Sequence, residues 1–258
     1  MAKVAIKLPL RFDPAGLKAD LERIASAEWI GHFNTTYFQG DWTGVALRAL
    51  PGKVPTLYAD PAAPGYAETA ALRQCPRLAA ALETFRCPLK SVRLLKLTAG
   101  SHIREHRDDD LGWEQGEIRL HVPVVTDPDV DFFLNGRRVV MQEGECWYLD
   151  LSLPHRVQNR SQVDRVHLVI DCLLNDWLRH TIEAGQEVAA APVAESEFER
   201  FRRLVLGHPA LQAELRQITD RKEFAAAALR LGEQLGTRFT PGDLDAAFQA
   251  ARRSWIER

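Results

Sequence analysis

A chain of 258 residues and 29.0 kDa has room for one large domain, or for a medium one with a small appendage. Apolar residues make up 46% and charged residues 26%, close to the average for folded globular chains, which excludes disordered and collagen-like classes. The 33 basic and 35 acidic residues leave a net charge of −2 with no long Lys/Arg run, so the footprint of a nucleic-acid binder is missing.

No stretch approaches the roughly 18 to 20 apolar residues that cross a bilayer, and the opening MAKVAIKLPLRFDP lacks the apolar core of a secretory signal. A cytoplasmic chain without membrane contact is the expectation. Cys75, Cys87, Cys146 and Cys172 show no CxxC pairing, which argues against a zinc knuckle or a disulfide-stapled fold and for incidental buried thiols.

Leu17, Leu21 and Ile24 recur at helical spacing between Pro14 and Ile30, which predicts an amphipathic helix. A second helix is predicted from Pro76 to Phe85, with Leu78, Leu82 and Phe85 on one face and Pro76 at its start, where a missing N–H costs little. Between them, Tyr37, Phe38, Trp42, Val45 and Leu47, broken by Gly40, Pro51 and Pro55, read as short strands and loops.

From Ser91 to about Leu174 the texture is β-rich: VRLLKL, EIRLHVPVV, DFFL, RRVVM, CWYLDL and RVHLVIDCLL alternate with Gly, Pro, Asn and Asp clusters. Such closely spaced strands predict an antiparallel barrel or sandwich, and Asn135-Gly136 between two of them predicts a two-residue hairpin. After Trp177 the strand signals stop, and EVAAAP from Glu187 to Pro192 reads as a tether. Phe198, Phe201, Leu204 and Val205, then Leu211 and Leu215, then Phe224, Ala228 and Leu231 mark helical stripes. Thr240, Pro241 and Asp243 announce a final helix. Residues 1–180 are thus read as one domain, 181–195 as a linker and 196–258 as a small helical domain.

Chemistry concentrates in GSHIREHRDDD, from Gly100 to Asp110. On an extended segment, residues i and i+2 point the same way, so His106 and Asp108 can converge on one ion. His155 in SLPHRV could supply a third ligand across the barrel. Two imidazoles and one carboxylate occupy one face of an octahedron and leave the other positions open, the arrangement of non-haem iron(II) oxygenases. Arg165 in DRVHLVID has the planar fork that suits the far carboxylate of a 2-oxoglutarate cosubstrate. A strand-edge Arg paired with Asp164, or solvated, is the alternative. Trp147 and Tyr148 read as core aromatics and His167 as a barrel histidine, with His102 ranked below His155 as a ligand. Arg48 and Arg93 are conjectural carboxylate anchors for a substrate.

The run from Gly100 to Asp171, with HRD, EIRLHVPVV, EGECWYLDLSLPHRVQNRS and RVHLVID, resembles the aspartyl/asparaginyl beta-hydroxylase family and, within the same superfamily, the bacterial proline cis-hydroxylases. The resemblance implies a mainly β chain with helices: a double-stranded beta-helix, or cupin-like jelly roll, followed by a small C-terminal helical bundle. It implies an Fe(II)- and 2-oxoglutarate-dependent dioxygenase using O2, with His106, Asp108 and His155 on the metal and Arg165, Arg119 and His121 around the cosubstrate. The implied reaction is hydroxylation of an amino-acid side chain, of Asp/Asn type in a peptide or protein, or of a free amino acid such as proline. The C-terminal segment, through HPALQAEL, DRKEF and FTPGDL, is similar to nitrogen-fixation-associated leader-peptide domains, which implies a leader-peptide-like interaction. A helical buttress is the plainer reading of that segment. A non-catalytic cupin-like metal-binding sensor or peptide-binding module is the competing reading of the whole chain.

Overall fold

The computed structural model describes residues 3–32, 34–51, 57, 65–108, 110–188, 197–244 and 247. The chain divides into two compact units, Met1–Ala191 and Pro192–Arg258. In the first, the main strands are β1 (Ala5–Arg11), β2 (Trp42–Ala49), β3 (Leu89–Leu97), β4 (His102–His106), β5 (Glu117–Val125), β6 (Val130–Leu134), β7 (Arg137–Val139), β8 (Glu145–Leu149), β9 (His155–Asn159) and β10 (Arg165–Leu173). Helices α1 (Pro14–Leu21), α2 (Pro76–Glu83) and α3 (Asp176–Glu183) pack beside them.

Among the described residues all pairings are antiparallel. The larger sheet runs β1-β8-β5-β10-β3-β2 and the smaller β7-β6-β9-β4, each extended by two-residue strands. From β3 to β10 the chain passes back and forth between the two sheets, which is the winding of a double-stranded β-helix. The hairpin between β6 and β7 turns at Asn135 and Gly136, with φ of 49° and 71°; both central residues of a type I′ turn need a positive φ.

The period of two along the strands decides what each face does. On β10, Val166, Leu168, Ile170 and Cys172 join Ile118, Leu120, Val122 and Val124 of β5 in a core that also holds Leu17 of α1, Leu78 and Leu82 of α2, and Leu178 and Ile182 of α3. The intervening residues, Arg165, His167, Val169 and Asp171, face the barrel interior together with Arg119 and His121. The apolar row glues the sheet to its helices and leaves the inner row free to carry chemistry. Trp147 and Tyr148 are buried in the two cores, as expected for core aromatics.

The first helix is shorter than the periodicity suggests: the chain leaves helical geometry after Glu22 and Ser26–Glu28 forms one 3-10 turn, although Ile24 still packs on the same core. Asp20, buried at its end, accepts from the backbone N–H groups of Arg77 (2.6 Å) and Leu78 (2.8 Å). It thereby caps α2, whose own N-cap residue, Cys75, offers no side-chain bond. Residues 181–188, assigned to the linker from composition, belong to the first unit: α3 runs to Glu183 and Gln186–Glu187 pairs with β1. Most of EVAAAP lies outside the described residues.

The second unit contains α4 (Glu197–Leu206), α5 (Pro209–Arg216), α6 (Arg221–Gln234) and a helical turn from Pro241 to Leu244. Phe201, Val205, Leu215, Ala228 and Leu244 form its core. Thr240 and Asp243 cap each other, the Asp243 N–H donating to Thr240 Oγ1 and the Thr240 N–H to Asp243 Oδ2 (2.7 Å), a reciprocal cap at a helix start. The remainder of this predicted helix lies outside the described residues.

Candidate metal centre

His106 ends β4 and His155 begins β9, and antiparallel pairing sets them directly opposite each other, with ring centroids 4.2 Å apart. Asp108 follows just past the strand end, its N–H bonded to the Leu151 carbonyl at 2.9 Å. His106, Asp108 and His155 each offer a ligand atom, all within 4.8 Å of one another.

The hydrogen bonds around the triad select the atoms it can offer. Nδ1 of His106 lies 2.9 Å from the Arg104 carbonyl and Nδ1 of His155 lies 3.1 Å from the Leu153 carbonyl. A carbonyl only accepts, so in each neutral ring Nδ1 carries the proton and Nε2 keeps its lone pair for a metal. Oδ2 of Asp108 accepts from Arg119 Nη1, while Oδ1 lies 3.8 Å from His106 Nε2. Because Arg119 occupies the other oxygen, Asp108 presents one oxygen, and the set fits a divalent iron-type ion bound on one face.

Arg119 is itself anchored. Its Nε and Nη2 donate to Asp171 Oδ1 (2.6 Å) and Oδ2 (3.0 Å), and Asp171 also accepts from Arg93 Nη1 at 2.8 Å. Burial opposes the ionisation of Asp171, but Arg119 and Arg93 more than offset it and hold this carboxyl well below the usual carboxylate range. Arg93, a conjectured substrate anchor, spends its Nη1 on Asp171 and Ser91 Oγ. Arg48 donates to the Tyr66 carbonyl. Partners of a ligating side chain typically contribute 10–100-fold to metal affinity or activity. Arg119 is the partner of Asp108, and Arg119→Gln is therefore expected to weaken metal binding by about that factor, read by metal titration of the full chain.

Arg165 is 3% exposed. Its Nη2 donates to His167 Nδ1 at 2.8 Å and its Nε has no partner. Asp164 instead accepts from the Ala99 N–H, so the strand-edge ion pair does not form. Burial alone pulls this guanidinium down to about 9. Beside it, burial and the Arg165 charge push His121 and His167 well below the ordinary imidazole value, and burial, followed by His106, lowers His155 to about 4. Nε2 of His121 is buried without a partner.

These depressed imidazoles have a measurable consequence. The fold keeps His121, His155 and His167 neutral, whereas the unfolded chain protonates them near 6.5, so the unfolded state binds more protons below that pH. Stability falls with pH by about 1.4 kcal/mol per unit per histidine. For His155 the loss levels off near about 4. Urea unfolding of the metal-free chain at pH 6.5 and at pH 5 should differ by several kcal/mol; a flat profile would contradict this burial.

One cavity of about 350 Å³ is lined by His106, Asp108, His155, Arg119, His121 and Arg165, the six residues singled out from the sequence; His102 does not line it. Of the six, Arg119 directs its hydrogen bonds to Asp108 and Asp171. Asp171 was missed, although it lies on the inward row six residues after Arg165 and that alternation could have exposed it. His32 stacks on Trp42 at 3.5 Å between ring centroids, and both line the same cavity.

A family model described as aspartyl/asparaginyl beta-hydroxylase matches residues 17–174. Over 165 residues the chain is 28% identical to L-proline cis-4-hydroxylase of Rhizobium meliloti (strain 1021), covering 63% of this chain and 58% of that protein; the match thus spans less than two thirds of this curated relative's length. Among solved structures, a 2OG-Fe(II) oxygenase-family oxidoreductase from Burkholderia pseudomallei is 13% identical over 62% of this chain and 78% of its own, with a TM-score of 0.41. A Pseudomonas putida prolyl-4-hydroxylase is 15% identical over 63% and 86%, with a TM-score of 0.37. With the family model covering more than half of its length, the chain belongs to the aspartyl/asparaginyl beta-hydroxylase family.

Proposed function

We propose that the chain is an iron(II)- and 2-oxoglutarate-dependent dioxygenase that hydroxylates an amino-acid side chain. The observation that carries this reading is the sharing of one cavity by two features: a two-histidine, one-carboxylate set and a buried guanidinium that forms no ion pair among the described residues. A metal with open positions and a carboxylate-seeking cation are the two things this cosubstrate requires.

In this reading His106, Asp108 and His155 hold the iron. Iron supplies the oxidation when bound: 2-oxoglutarate and O2 are converted to succinate and carbon dioxide, with one oxygen atom going to the substrate C–H bond. The protein's own contribution is orientation. Arg165 takes the far carboxylate of the cosubstrate, and His121 lines the same cavity. Arg119, held by Asp171, keeps Asp108 to one oxygen. His32 and Trp42 contribute to the cavity wall and help exclude water.

The substrate class follows the family description and the named activity of the relative: proline, free or in a peptide, and Asp or Asn side chains. The helical second unit, similar to leader-peptide domains, supports a peptidyl substrate held by a leader-peptide-like interaction. Among the described residues no helix is long and apolar enough to cross a membrane, and we assign the chain to the cytoplasm.

Anaerobic addition of iron(II) and 2-oxoglutarate to the full chain is expected to give a weak visible metal-to-ligand charge-transfer band. Aerobic succinate formation should then be stimulated by L-proline or by a proline-, Asp- or Asn-containing peptide. Folded, iron-loaded protein that gives neither signal would be a cupin-like metal-binding module instead.

A further inference from the structure

A second cavity, of about 460 Å³, opens at the other end of the barrel. The metal cavity is lined by the start of β5, at Glu117, Arg119 and His121, whereas this one is lined by Thr126 and Asp127 just past the end of the same strand. Arg165 and Phe132 line both. The guanidinium therefore stands as a partition between two chambers.

Among the described residues lining the rear chamber, every charge has an opposite partner except Asp127, which has only a backbone N–H, and Arg165. Arg138 pairs with Asp131 at 2.5 Å, Arg11 reaches Glu145 at 3.8 Å, and Glu143 pairs with Lys18 at 2.7 Å. Asp127 accepts the Asp129 N–H at 2.9 Å. Arg165 has a neutral imidazole and an unpartnered Nε. A buried cation without a counter-ion is costly, and an anion that can reach it is correspondingly favoured. Val130, Val139 and Met141 give this chamber apolar walls, which suits an aliphatic stem better than a compact, fully hydrated anion.

We propose that the rear chamber is a second carboxylate site, in which a short aliphatic carboxylate reaches Arg165 from the end of the barrel remote from the metal and competes with 2-oxoglutarate. The competition rests on the reading of Arg165 as the anchor of the cosubstrate. Both carboxylates seek the same guanidinium from opposite sides, so occupation of the rear chamber lowers the affinity of the front one. The site would tie turnover to the level of small organic acids.

The test uses the full chain loaded with Mn(II) in place of iron, with n-butyrate as the probe. Butyrate is expected to raise the Kd of 2-oxoglutarate several-fold. Val140, on the rim of the rear chamber and 53% exposed, allows a charge to be placed there without disturbing the core. Val140→Glu should abolish the butyrate effect and Val140→Lys should enlarge it, while neither changes the Kd measured without butyrate. A butyrate effect equal in all three proteins would mean entry from the metal side and overturn the proposal, as would no effect at all. Direct butyrate titration separates the two readings. If Arg165→Met leaves 2-oxoglutarate binding intact, the anchor reading falls; butyrate binding that survives Arg165→Met overturns the rear site.

Discussion

His155→Ala should abolish metal-dependent turnover, because the ring stands opposite His106 across the β9–β4 pair and no other described histidine or acid joins the cluster. A catalytic metal contributes several kcal/mol to transition-state stabilisation, and 1.36 kcal/mol is a factor of ten, so the loss is expected to reach about three orders of magnitude. The fold should survive, since the backbone pairing of β9 does not depend on the imidazole. The measurements are succinate formation, metal titration and thermal unfolding of the same preparation. A His155→Ala protein that binds iron with unchanged affinity and still couples succinate to product would remove the triad from the mechanism.

Arg165→Met should move two observables in opposite directions. With the guanidinium gone, the cosubstrate loses its charged partner. Truncating one side of a buried charge pair costs about 2–5 kcal/mol, so the Kd of 2-oxoglutarate is expected to rise by about 30- to 1000-fold or more. Metal affinity should stay unchanged. The ligand-free fold, by contrast, is relieved of a buried charge with only a neutral partner, and replacing buried charge by well-packed apolar atoms is often stabilising, by about 1–4 kcal/mol. Its melting temperature should therefore rise by several degrees. A purely structural role for Arg165 would lower stability and binding together.

Much of the cavity lining was legible in the chain because its residues obey strand geometry. His106 and Asp108 lie two apart at a strand end, and Arg119 with His121, like Arg165 with His167, repeat that spacing on strands whose alternate residues are aliphatic. An imidazole or guanidinium alternating with Val, Leu and Ile has to face inward, because the apolar row is required against the helices. What each inward group touches was not legible. Arg119 faces Asp171 because the two sit in register on neighbouring strands, and that register depends on pairing segments about fifty residues apart. The cap on α2 is similar: nothing near Cys75 supplies it, and Asp20 arrives from the end of another helix.

The one-dimensional pattern by itself determined that β-strands would carry an HRD corner, a downstream histidine and a buried arginine, and that helices would follow. Local propensity and a period of two are properties of neighbouring residues, so they are readable without the fold. Only the tertiary structure decided that Arg119 bonds to both Asp108 and Asp171, and that Arg165 lines two chambers. Those outcomes depend on strand register and barrel closure, which arise from many weak contacts between distant segments and are encoded in no single stretch of the chain.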